Sequence, residues 1–201
     1  MTRSSTPTSK PALPIRHRPL VIGHWSLVIL LLLLAWGLRL CCLETVPPGW
    51  RDDELINIHA LSGQLLEGRF PLYFTGASGH EPLYHYLHAG VLAFLGFNVL
   101  SGHLLSIAFG ILTVALTYAL THRLFGRTTA LAATASLTTS FWSLMYSRTA
   151  IRHVNLPPLA LATFYLLWRV FRDQSPSPNL KNPLAGLVMG ISLYTYPASR
   201  L

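Results

Sequence analysis

Long apolar runs with their acids removed constrain this chain more than any motif in it. Six of the seven acidic residues (Glu44, Asp52, Asp53, Glu54, Glu67 and Glu81) fall in the stretch from Glu44 to Tyr86, and the seventh is Asp173. A charged side chain at membrane depth costs roughly 2.5–3.5 kcal/mol by insertion scales, so bilayer helices leave their carboxylates outside. Only 11% of the residues are charged and 51% are hydrophobic, whereas soluble domains carry roughly 25% charged residues. The composition is that of a membrane protein. The net charge is +8, but the basic residues are spread between apolar segments. That distribution suits the loops of a polytopic protein and offers no basic patch for nucleic acid. The adjacent pair Cys41 and Cys42 makes a disulfide framework an unsuitable reading; both read as small residues at a helix end.

The order of segments predicts an all-α, polytopic bundle of about six transmembrane helices. Residues 1–19 hold four prolines and no acid, the signature of a disordered tail, and their Lys and Arg residues place that tail in the cytoplasm. The run from Leu20 to Leu43 is long enough for a crossing, which takes about 20 residues. It is longer than a signal-peptide core and lacks a small-x-small cleavage site, so it is expected to remain as an anchor, with Arg39 snorkelling to the interface. A long extracytoplasmic loop follows. In it Asp52 or Asp53 is expected to cap a helix running to about Glu67, its stripe of Leu55, Ile58, Leu61, Leu65 and Leu66 suited to lying flat on the membrane. GASG at 76–79 reads as a hinge. Further apolar helices are expected at 82–100, with Pro82 in the first turn, and at 101–121, 128–146, 154–171 and from Pro183 onward. Charge in the later loops does not reinforce the sidedness set by the tail, and the first helix is taken to dominate.

Three groups of residues could carry chemistry. Asp52, Asp53 and Glu54 stand at the start of the surface helix. Carboxylates favour a helix N-terminus electrostatically; equally, one of them could act as general base toward an acceptor hydroxyl attacking a sugar carbon. Glu81, His85 and His88 share a helical face by their spacing, with His80 beside them. They could ligate a divalent metal or simply hydrogen-bond at the interface. Arg148 and Arg152, four apart, also share a face if helical, and Arg suits phosphate through bidentate bonds.

The ordered set WRDDELINIHA, GHEPLYHYLHAGVLAFLGFN, THRLFGRTTALAA, SRTAIRHVNLPPLALATFYLLWR and LAGLVMGISLYTYPASRL resembles the integral-membrane glycosyltransferases of the C-type fold. The likeness is to the family that includes protein O-mannosyltransferases and the aminoarabinose transferase of lipid A. The resemblance covers about residues 20–201, and such enzymes are typically more than twice this length. It implies the N-terminal part of a glycosyltransferase membrane domain in the cell membrane. It further implies a polyprenyl-phosphate sugar donor and a lipid, glycan or protein acceptor, joined on the extracytoplasmic side with inversion. Asp53 and Glu54 match the family's Asp-Glu pair, with Asp53 as base and Asp52 as an additional acid beside it. Glu81 matches a carboxylate before proline that helps bind a metal in some relatives. A transporter or flippase would place ionisable residues inside its spans, and an inactive inserted fragment would use none of these groups.

Overall fold

A computed structural model describes residues 23–76, 79–172 and 181–196. The expected disordered tail at 1–19, part of the GASG hinge and most of the loop at 172–182 lie outside the described residues. The described residues are helical, with a single isolated antiparallel bridge between Phe74 and His80.

Helix α1 (His24–Leu40) buries Val28, Ala35 and Arg39 and turns Trp25, Ile29 and Leu33 outward. An apolar row facing out inverts the pattern of a soluble surface and suits lipid. Arg39 does not snorkel. It is fully buried, donating to the Ser143 hydroxyl (2.8 Å) and the Ala35 carbonyl (3.2 Å). A partner 104 residues away in sequence, Ser143, holds this guanidinium inside the protein.

The expected surface helix forms as α2 (Asp52–Leu55), a π-helical stretch (Ile56–Ser62) and α3 (Gly63–Leu66). Most of its apolar stripe is buried against protein. Leu61 and Leu65 cluster with Phe74 and Ala89, while Ile58 packs with Leu92, Ala150 and Trp50. Of the expected stripe, Leu55 and Leu66 alone stay exposed. The stripe finds protein partners because α4 (Pro82–Leu95) runs alongside it. Pro82 opens α4 as expected, where its missing N–H costs nothing.

Helix α5 (Val99–Phe125) is the hub. It starts at a reciprocal cap in which Asn98 Oδ1 accepts from the Ser101 N–H (2.9 Å) and the Ser101 hydroxyl accepts from the Asn98 N–H (3.0 Å). Its buried face is Gly102, His103, Ser106, Ile107, Gly110, Val114 and Tyr118, a helical repeat rich in small residues. Small residues let helices approach closely, and α5 touches α1, α4, α6 (Arg127–Thr139), α7 (Phe141–Ser147) and α8 (Leu156–Arg172). The single helix expected at 128–146 is therefore two. Ser140 takes an extended conformation (φ −60°, ψ 126°) between them, after a Thr-Thr-Ser run whose hydroxyls compete for backbone carbonyls, as Thr139 does at Ala135 O (3.1 Å). The chain then passes through a 3₁₀ turn (Arg152–Asn155) into α8, and α9 (Lys181–Ser192) packs on α8.

Two described helical segments are long and apolar enough to cross a membrane, Val99–Phe125 and Arg152–Arg172; His24–Leu40 and Pro183–Ser192 are shorter apolar helices. The all-α architecture stands among the described residues, and of the six expected crossings these two segments meet the length and hydropathy of a span.

Candidate active site

The surface helix distributes its acids by rotation. Asp52 and Asp53 are exposed at its first turn, while Glu54 is completely buried. Glu54 Oε2 accepts from the Arg51 N–H (3.0 Å), and Oε1 accepts from the Ala150 N–H (2.8 Å) and from His103 Nε2 (2.9 Å). Trp50 stacks on His103 at 4.8 Å. Burial pushes the Glu54 carboxyl up, but the hydrogen bonds from His103, Ala150 and Arg51 outweigh it and hold the group below the ordinary carboxylate range. One turn on, Asn57 Nδ2 donates to the Ala150 carbonyl (2.8 Å). The Ala150 residue is thus gripped on its N–H and its C=O by the same helix that carries Asp53.

That grip sets the segment after α7. Arg148 and Arg152 do not share a helical face, because α7 ends at Ser147 and the next turn begins at Arg152. They go separate ways. Arg148 donates to the carbonyls of Leu38, Cys41 and Val46 (2.7, 2.7 and 2.5 Å), tying this segment to the end of α1. Arg152 Nη1 donates to the Gly79 carbonyl (2.8 Å) and to Glu81 Oε2 (3.2 Å), with its guanidinium 5.4 Å from the Tyr196 ring centre.

Between the two segments lies a cavity of about 320 Å³, lined by Asp53, Asn57, His80, Arg152, His153 and Tyr196 with Ile56 and Ile151. Of the residues singled out in the sequence, Asp53, His80 and Arg152 meet here. Glu81 stands behind Arg152, and Asp52, Glu54, Arg148, His85 and His88 are not on its wall. Asn57, His153 and Tyr196 were not singled out. Asn57 follows Asp53 by one helical turn, which is a usable signal; Tyr196 arrives from the far end of the chain and has none.

The four expected metal ligands divide between partners: only His80 and His85 meet each other. His80 Nδ1 lies 3.1 Å from His85 Nε2, His88 Nδ1 lies 3.1 Å from the Ser62 hydroxyl, and His88 Nε2 lies 3.1 Å from the Gly102 carbonyl. The Glu81 carboxylate is paired with Arg152. Among the described residues no three His, Cys, Asp or Glu side chains are grouped to hold a metal ion. The spacing of 81, 85 and 88 put them on one stripe, but Ser62 and Arg152, invisible to that spacing, occupy the donors.

No curated protein matches the chain, and no solved structure does. A family model described as dolichyl-phosphate-mannose-protein mannosyltransferase matches residues 79–199. The matched region opens at the Gly79-His80-Glu81-Pro82 element and runs through Arg148 and Arg152, and Asp53 on the surface helix precedes it. Covering more than half of the sequence, that match settles the kinship: the chain belongs to the dolichyl-phosphate-mannose-protein mannosyltransferase family, a family of membrane-embedded glycosyltransferases.

Proposed function

We propose that the chain transfers a sugar, mannose by the family's description, from a polyprenyl-phosphate donor to an acceptor hydroxyl at the extracytoplasmic face of the membrane. The observation that supports this best is the cavity itself. Asp53, exposed and at the start of a helix, lines it together with Arg152, whose guanidinium is oriented by Gly79, Glu81 and Tyr196.

The donor's anomeric carbon is activated by its phosphate leaving group. The remaining needs are an acceptor held in line and a base for its proton. In this reading Asp53 takes the hydroxyl proton as the acceptor oxygen bonds to the anomeric carbon. The bond from that carbon to the phosphate oxygen breaks, polyprenyl phosphate departs, and attack opposite the leaving group inverts the centre. Arg152 meets the phosphate charge with fixed donors. Glu54 has both oxygens engaged and serves the architecture rather than the reaction.

Turnover of a polyprenyl-phosphate sugar in membranes carrying Asp53→Asn tests the assignment. The chemical step should fall by roughly 10²–10⁴-fold with donor binding retained, while Asp52→Asn stays near the parent. Near-normal turnover in Asp53→Asn with loss in Asp52→Asn would move the base by one residue. Near-normal turnover in both would reduce the acids to a helix start.

A further inference from the structure

Past the end of α1 the chain makes one turn that holds two sulfurs against each other. Cys42 takes a left-handed backbone (φ +55°), the sole positive φ outside glycine among the described residues. A residue with a β-carbon keeps that conformation where its surroundings fix it. They do so here. The Cys42 carbonyl accepts from the N–H groups of Thr45 (3.1 Å) and Val46 (2.9 Å), and the Cys41 N–H donates to the Gly37 carbonyl (2.8 Å). Arg148 Nη2 bridges the carbonyls of Cys41 and Val46. Both cysteine side chains are exposed, with Cys41 Sγ 3.4 Å from Cys42 Sγ. A direct disulfide is a poor fit to this turn. Adjacent Cα atoms lie about 3.8 Å apart across a trans peptide, and ordinary disulfides need roughly 4.4–6.8 Å. An inserted atom fits better. With bonds of about 2.3 Å, the length of a metal–thiolate bond, one atom closes on both sulfurs at an angle of roughly 95°. A linear two-coordinate ion would need sulfurs about 4.6 Å apart on the same bond length. A tetrahedral ion such as zinc wants about four donors, and among the described residues no third His, Cys, Asp or Glu is grouped with the pair. The centre that suits two thiols at that angle is pyramidal and brings its own third substituent. Room for one adjoins the pair. Cys42 lines a cavity of about 540 Å³ with Glu44 and Thr45, and Leu40, Leu43, Val99 and Leu100 give it hydrocarbon walls.

We propose that Cys41 and Cys42 form a capture site for trivalent aryl arsenicals, both sulfurs binding the arsenic and the aryl group lodging in the adjoining cavity. The reaction is a condensation. For an arylarsine oxide, the two S–H bonds and the arsenic–oxygen bond break, two As–S bonds form, and the oxygen leaves as water with both hydrogens. Arsenic stays trivalent, so neither an oxidant nor a reductant is needed. Once one sulfur has bonded, closing the second bond is intramolecular, so the pair retains what a single thiol loses to competing monothiols. The site is separate from glycosyl transfer and stands whether or not Asp53 is the base.

The test uses the whole chain in lipid nanodiscs, where the pair supplies both of its cysteines and no other thiol competes. Phenylarsine oxide is added, the excess is removed in the presence of a monothiol, and intact mass is read. The parent chain should retain one arsenical, lose maleimide labelling at both thiols, and regain it when dimercaptopropanol is added. Cys41→Ser and Cys42→Ser change exposed side chains, and each should retain less than about a tenth as much. Leu100→Glu puts an acid in the first turn of α5, where it suits the helix end. It should need about tenfold less dimercaptopropanol for half removal of the phenyl compound, with inorganic arsenite unaffected. A parent chain that retains no arsenical, or one on each sulfur, would overturn the proposal, as would a single-serine variant that retains it like the parent. Equal removal from Leu100→Glu and the parent would take the aryl group out of the cavity.

Discussion

Successive helical positions point about 100° apart, and between Asp53 and Glu54 that rotation separates a cavity wall from a sealed interior. The pH consequence follows from the lowered Glu54 pKa. A carboxyl whose folded value is depressed adds stability that is complete above its unfolded value and is lost as pH falls through the folded one. Thermal unfolding in detergent should therefore show a parent protein that weakens on acidification, and Glu54→Gln should be less stable at neutral pH with a flatter acid limb. Glu54→Ala leaves His103 and the Ala150 N–H without their partner and should cost about 3–5 kcal/mol. The two arginines should also part company. Arg152→Glu should abolish donor-lipid binding in a pull-down or scintillation assay. Arg148→Lys, which loses the planar fork across three carbonyls, should lower the melting temperature and leave donor binding in place. The Asp-Glu order was legible in the sequence, as was the chance that the two acids differ in role. Which acid faced inward was not, because the deciding partners, His103 and the Ala150 N–H, lie 49 and 96 residues away.

The elements whose ends are set locally were readable before any coordinates. Pro82 starts α4, and the surface helix ends one residue short of the expected Glu67, although Arg51 rather than Asp52 or Asp53 caps its start. The π-helical stretch was not readable; it places Asn57 and Ser62 on the buried side with Ile58 and Leu61, and such insertions mark functional sites more often than chance. Nor was the break at Ser140, since a Thr-rich run is tolerated inside many helices. The close approach of α5 to α7 depends on Gly110, where a β-carbon would collide with the Ser147 side chain and lie 3.0 Å from Arg39 Nε. Gly110→Ala should destabilise the protein by about 1–3 kcal/mol, the usual cost of overpacking, measured by thermal unfolding. Gly102→Ala should do likewise by driving the Trp50 ring off its place, and unchanged melting in both variants would mean the helices yield freely.

At the scale of the molecule, composition announced an all-α membrane protein, and two of the described helical segments are long and apolar enough to cross a bilayer. Helix α4, with 14 residues, is about 21 Å long, and α6, with 13, about 20 Å; a hydrocarbon core is about 30 Å thick. As lone straight helices, α4 and α6 are each shorter than that thickness. Orientation can be checked without altering the chain. Cys41 and Cys42 are free and exposed just past the end of α1. A membrane-impermeant maleimide added to intact cells should label them from outside, and labelling only after permeabilisation would reverse the orientation and remove the cavity from the extracytoplasmic side.

Arg148 and Glu54 join stretches of chain made far apart in time. The grip on Ala150 spans 96 residues and the hold on Leu38 spans 110. At about 5–20 residues per second of synthesis, the surface helix waits on the order of 5–20 s before its partners leave the ribosome. Through that interval the nascent chain carries an acidic helix with no socket to close on. A chaperone or translocon surface that shelters it, or a pause in translation shortly after residue 155, would decide how much of the newly made protein assembles its cavity at all.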